Sequence, residues 1–195
     1  MQKLTSINAI VPSISADGAD MYTIPYRPIK HSSELSLALS DTIIDEILYE
    51  KAYALFGLAR TILKHYNDIA DIHRAIELYR QSINILKQVR RHPLKTLYLG
   101  YNYQGLSRCY LILYESINKK EYIDNAKRYL EESERYFNEH LSRNQDFYGA
   151  LKAIGFNYVK LGEIAELERD YKNAQQYFER CLEIAKKVND NNFIV

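Results

Sequence analysis

Residues 161–185, LGEIAELERDYKNAQQYFERCLEIA, set small residues, Tyr and Phe at steps that fit neither a plain heptad nor a strand alternation. Apolar side chains recur at three- and four-residue intervals on both sides of Glu168–Asp170, which reads as one helix, a tight turn and a second helix. Gly162 and Ala174 are small where two such helices cross closely, while Tyr158, Leu161, Tyr171 and Phe178 fill the volume beside the crossing.

Working outward, the same period runs back to Asp41 with breaks near Asn67–Asp71, His92–Pro93, Asn118–Glu121 and Leu141–Asn144. Six helices are predicted, at about 41–67, 71–90, 94–118, 121–141, 144–167 and 170–189. Residues 1–33 carry three of the four Pro and no sustained period, so they are predicted as an extended or disordered N-terminal arm. Residues 34–195 form one helical domain. Aligned on Ala75, Ala126 and Ala174, the helices pair into three similar units, about 41–90, 94–141 and 144–189. The earlier units keep the apolar steps (Ala59, Ile62, Leu63, Tyr66 and Tyr79; Tyr110, Leu113, Tyr114, Ile117 and Leu130) but lack a Leu-Gly pair.

On these residues the chain resembles the tetratricopeptide repeat family, whose pattern of an aromatic, Leu-Gly, Tyr, Ala and Phe is met by Tyr158, Leu161, Gly162, Tyr171, Ala174 and Phe178. Tyr158 stands in place of Trp, Ala165 in place of the second Tyr, and the terminal Pro is absent. The units repeat every 51 and 48 residues, against about 34 in the family. The surplus falls at the start of each first helix, at 49–56, 98–105 and 148–155. The resemblance implies an all-α, right-handed solenoid of three stacked, elongated antiparallel hairpins. Each hairpin has an apolar face that only its neighbours can bury.

The resemblance also implies a concave groove lined by the first helix of each unit, where related proteins hold peptides or partner helices. Carried over, its positions are Gly57, Arg60 and Lys64, then Arg108, Leu111 and Glu115, then Phe156, Val159 and Glu163. Arg60, Lys64 and Arg108 would make a basic patch suited to a carboxylate. The family's clamp for a C-terminal carboxylate needs Asn where Ile112 stands, so that activity is not carried over. The chain has 18 Tyr and no Trp; those in the extensions, Tyr49, Tyr53, Tyr98, Tyr101 and Tyr148, either line the groove or join the core. Partner contacts are thus expected at Tyr53, Arg60, Lys64, Tyr101, Arg108, Leu111, Tyr148, Phe156 and Val159. The arm segment YTIPYRPIK either occupies this groove, enters a neighbour's, or stays disordered.

In the last helix, Tyr171, Ala174, Phe178, Leu182 and Ala185 are expected to face their own hairpin. A second stripe, Tyr177, Cys181, Ile184 and Val188, is covered either by another copy of the chain or by neighbours. These four are therefore the candidate interface of a homodimer, the alternative role being a structural subunit that associates through its terminal helices.

Other functions find little support. With 26 Lys plus Arg against 25 Asp plus Glu, no global field draws nucleic acid, and KQVRRHPLK at 87–95 reads as the basic end of a helix before Pro93. No apolar run is long enough to span a membrane, and Thr, Ser and Asn interrupt the N-terminal stretch too early for a secretory signal. Cys109 and Cys181 stand alone in helical patterns, and the five His form no HExxH, so neither zinc nor a disulfide is expected. Phosphate-cradling and nucleophile-elbow motifs are absent, so no catalytic residue and no cofactor is assigned. The expectation is a cytoplasmic, non-enzymatic scaffold for a protein or peptide partner.

Overall fold

The computed structural model describes residues 30–143 and 147–188, and all six helices lie within them. They are α1 (Lys30–Lys64), α2 (Ile69–Gln88), α3 (Lys95–Ile117), α4 (Lys120–Arg143), α5 (Phe147–Leu167) and α6 (Tyr171–Val188). No strand occurs among the described residues.

The turns follow from local chemistry. Asp68 caps α2 by accepting from the Asp71 N–H at 2.9 Å, and the Asp71 carboxylate accepts from the Asn67 N–H at 3.0 Å. This exchange satisfies one amide that the helix leaves free, that of Asp71, and the amide of Asn67 just before the cap. Asn118 ends α3 in the left-handed region at φ 55°, a conformation Asn tolerates. Asp170 caps α6 through the Asn173 N–H at 3.2 Å. One boundary departs from expectation: α1 begins at Lys30, within the segment assigned to the arm. After Pro28 no residue obstructs a helix, and the Ser-rich run 32–40 lacks the apolar period that would have marked it. The remainder of the arm, with the residues proposed to enter a groove, lies outside the described residues.

Consecutive helices pack antiparallel, and the first helices α1, α3 and α5 also touch in succession. A closed bundle would set α1 against α5 or α6, and no extended contact of that kind forms. The result is an open stack of three hairpins. α4 and α6 each bury one stripe, whereas α3, held between both neighbouring hairpins, buries residues round most of its cylinder. Three clusters of buried residues follow one another along the stack, one with Tyr49, Ile72, Leu86 and Leu106, one with Leu97, Phe137 and Ile154, and one with Leu130, Leu161 and Ile164, bridged by the half-buried Leu94, Tyr110 and Tyr158.

Gly162 acts as its sequence position implied: a Cβ there would stand 2.6 Å from the Phe178 ring. Two further helical glycines do the same, Gly100 beneath Phe137 at 2.6 Å and Gly105 beneath Tyr79 at 2.4 Å. At α1, the Asp45 carboxylate reaches across to accept the backbone N–H groups of Arg90 and Arg91, each at 2.8 Å. Those two bonds tie the α2–α3 turn to the first helix. The backbone N–H of Arg90, above all, holds its carboxyl below the usual carboxylate range.

Candidate partner-binding site

Residues three or four apart on the first helices project to one side of the stack. α1 supplies Tyr53, Phe56 and Arg60; α3 supplies Tyr101, Gln104, Arg108 and Leu111; α5 supplies Phe156 and Lys160. Together they wall a cleft of about 900 Å3 whose floor includes Tyr79 and Ser107.

The walls are aromatic and mutually supported. Tyr98 meets Tyr53 edge to face at 5.1 Å, Phe56 at 5.5 Å and Tyr101 at 5.9 Å, and Tyr101 rests in turn on Phe137 at 5.1 Å. Such rings lose little freedom when a ligand binds, because their rotamers are already fixed by one another. Tyr53 is 45% and Phe156 52% exposed, so both present apolar surface to the cleft.

The third wall is positioned by buried amides. Gln104 Nε2 donates to Asn157 Oδ1 at 2.7 Å and to the Ala153 carbonyl at 3.1 Å. Asn157 Nδ2 donates to Ser133 Oγ at 2.9 Å. This chain crosses from α3 through α5 to α4 and sets where Phe156 and Lys160 stand.

The charge is one-sided. No acidic residue lines the cleft, and neither Arg60 nor Arg108 has an ion-pair partner among the described residues. Lys160 is paired with Glu163 at 2.6 Å outside it. Both Arg60 and Arg108 lie near Tyr79, whose hydroxyl is pushed well above its ordinary range by burial, partly offset by those two guanidinium groups. The Ser107 hydroxyl is buried at the floor without a hydrogen-bond partner.

Six of the nine expected partner residues meet here: Tyr53, Arg60, Tyr101, Arg108, Leu111 and Phe156. Lys64 is exposed one turn beyond Arg60, and Tyr148 is exposed near the start of α5 beside the Lys152 ammonium at 5.8 Å; neither lines the cleft. Val159 is a correction. It packs against Cys181 and Ala185, facing α6, because its place on α5 points away from α3. Tyr49 likewise belongs to the core, stacked on His92 at 3.6 Å. Phe56, Gln104 and Lys160 were missed, although Lys160 stands four residues after Phe156 and shares its face.

The candidate oligomer stripe is also corrected. Cys181 is 4% and Ile184 7% exposed; Val188 packs with the Leu97 and Phe137 cluster, and Tyr177 stacks on Tyr158 at 6.3 Å. The neighbouring hairpin residues cover Cys181 and Ile184 fully and Tyr177 and Val188 in part. Tyr171 and Leu182, expected to face inward, are instead exposed.

Both cysteines are buried and free, and burial pushes the Cys109 thiol up to about 12. Among the described residues no group of three His, Cys, Asp or Glu gathers as metal ligands, and no helix is long and apolar enough to cross a membrane.

Open hairpin stacking with glycine-seated rings defines an α-solenoid of the helical-repeat class. The sequence model of the tetratricopeptide repeat family matches residues 157–188, so the third hairpin carries a tetratricopeptide repeat. Residues 147–156 of α5 precede the matched unit, in line with an elongated first helix. No curated protein and no solved structure matches the chain.

Proposed function

We propose that the chain is a non-enzymatic interaction module that holds a peptide or partner helix in the α1–α3–α5 cleft. Tetratricopeptide repeats generally mediate protein–protein contact, which supports the class of work. The observation that carries the site is the coincidence of a pre-set aromatic wall with two unpaired guanidinium groups and no acid. Aromatic and Arg side chains in partly enclosed pockets are the residues that dominate binding energy at interfaces. A segment with an apolar anchor beside a carboxylate fits this lining best. Two buried, free thiols suit a reducing cytoplasm.

The test is a pull-down from native extract with the intact chain, a Phe156→Asp variant and an Arg60→Glu/Arg108→Glu variant. Loss of the same partner with both variants is expected, at tenfold or more each. Capture unchanged by either one removes the cleft from the account.

A second reading rests on a different observation. Leu39, Ile43, Ile44 and Ile47 on α1 are between 53 and 62% exposed and form an apolar stripe at the open end of the stack. Association through this terminal helix would cover it. Light scattering decides: an Ile43→Arg/Ile47→Arg variant should be monomeric where the parent is dimeric, and a monomeric parent at tens of micromolar ends this reading.

A further inference from the structure

The basic run at 87–95, explained in the sequence as the end of a helix, meets α4 in the fold. A second cleft of about 600 Å3 lies at this meeting, apart from the aromatic one. One wall carries Lys87, Arg90, Arg91 and Lys95; the other carries Arg135 and Arg143, two turns apart on α4. Six cations therefore line it against one acid, Glu139, in a chain whose formal charge is only +1.

Several of these cations have partners. Arg90 pairs with Asp41 at 3.0 Å, Arg135 with Glu132 at 2.7 Å and Arg143 with Glu139 at 3.1 Å, and all three arginine side chains are more than half exposed. Exposed pairs of this kind contribute little, so a guanidinium can exchange its carboxylate for a doubly charged anion. Arg91 has no ion pair among the described residues, and its backbone is held in place by Asp45. The Lys95 ammonium donates to the Val89 carbonyl, quenching the negative end of α2 that would otherwise repel an anion. Leu94, the residue before α3, makes no side-chain cap, and the first amide of that helix, Lys95 N–H, donates to the His92 carbonyl at 3.1 Å.

We propose that this cleft binds a small polyphosphate, a compact anion carrying two or more phosphate groups. Facing rows of cations suit a ligand with charge on both sides; a single phosphate would engage only one row. The volume is that of a small-molecule site. Asp41 and Glu132 beside the cleft and Glu139 within it break the basic surface, whereas a nucleic acid strand needs a positive groove that tracks its backbone.

The probes are inorganic tripolyphosphate, inorganic phosphate and a twenty-nucleotide single-stranded DNA, titrated calorimetrically into the full chain at about 50 mM and about 150 mM salt. Tripolyphosphate is expected to bind at least thirtyfold more tightly than phosphate and to weaken severalfold at the higher salt. An Arg91→Glu/Arg143→Glu variant, altered at exposed positions, should lose tenfold or more with an unchanged circular dichroism melt. Arg60→Glu/Arg108→Glu, in the other cleft, should bind tripolyphosphate as the parent does. Equal affinity for phosphate and tripolyphosphate, equal loss with the second variant, or tighter binding of the DNA would each overturn the proposal.

Discussion

The stack has two junctions between hairpins, and they are built from different chemistry. Where the first hairpin meets the second, rings do the joining: Tyr53 and Phe56 of α1 pack on Tyr98 of α3, and the Tyr79 ring of α2 lies on Gly105. Where the second meets the third, apolar contacts of Leu97, Phe137 and Leu130 with Ile154, Leu161 and Ile164 are crossed by a chain of polar groups. Asn157 is buried between Gln104 and Ser133, the Tyr158 hydroxyl donates to Glu134 at 2.6 Å, and Lys127 pairs with Glu168. A ring seated on a glycine fixes position by shape, so a displaced helix leaves a void or a clash. An amide chain fixes it by pairing, so the same displacement strands buried donors and acceptors. Two repeats of similar outline thus resist sliding by unrelated means.

The largest expected effect comes from breaking the polar joint. Asn157→Ala leaves the Gln104 amide and Ser133 hydroxyl without their buried partner and opens space between α4 and α5. The cost is about 3 kcal/mol, from lost hydrogen bonds to buried groups together with a small cavity. Because repeat arrays are stabilised mainly by nearest-neighbour contacts, the loss should be local. Amide hydrogen exchange should quicken in α5 and α6 while α1 and α2 keep their protection; uniform acceleration across all six helices would show that the two junctions do not act separately.

A smaller effect probes the aromatic joint. In Gly105→Ala the new methyl would lie 2.4 Å from the Tyr79 ring, so a fully buried aromatic must move. Overpacking of this kind costs about 1–3 kcal/mol, against a gain of about 1 kcal/mol in helix propensity, leaving a net loss of up to about 2 kcal/mol. The coupling identifies the cause. With Tyr79→Leu in place, which removes the ring, Gly105→Ala should become neutral or stabilising in urea melts. Additive penalties in the double variant would mean that the ring and the glycine are not the seat of this junction.

The sequence made a contact within one hairpin far easier to read than either junction between hairpins. The apolar period located every turn, and Gly162 with Phe178 marked the third hairpin because the glycine and its ring belong to one local pattern. Gly105 and Tyr79 belong to different hairpins, 26 residues apart, so no single helical window contains the pair. The Gln104–Asn157–Ser133 chain was invisible for the same reason: a buried amide is written with the same letters as an exposed one, and only the stacking of three helices tells them apart. The site followed this division. Arg60, Arg108 and Phe156 followed from the family's groove positions and Tyr53 from the helix extension, whereas Val159, carried over in the same way, packs against α6 instead. Lys160, one turn on from Phe156, lines the same cleft.

Gly57 gives the smallest and most discriminating contrast. It lies inside α1, about two turns before the helix ends and one turn before Arg60, and a Cβ added there would meet nothing within 4 Å. Unlike Gly100, Gly105 and Gly162, it seats no ring, so its only contribution is the backbone freedom it confers on the unfolded chain. Gly57→Ala should therefore stabilise the protein by about 0.5–1 kcal/mol, through helix propensity alone. In urea melts the midpoint should rise with an unchanged slope, since no surface is newly buried or exposed. A destabilised Gly57→Ala would mean that a partner or another part of the chain presses on α1 at this level, and that the first hairpin, like the second, uses a glycine as a seat.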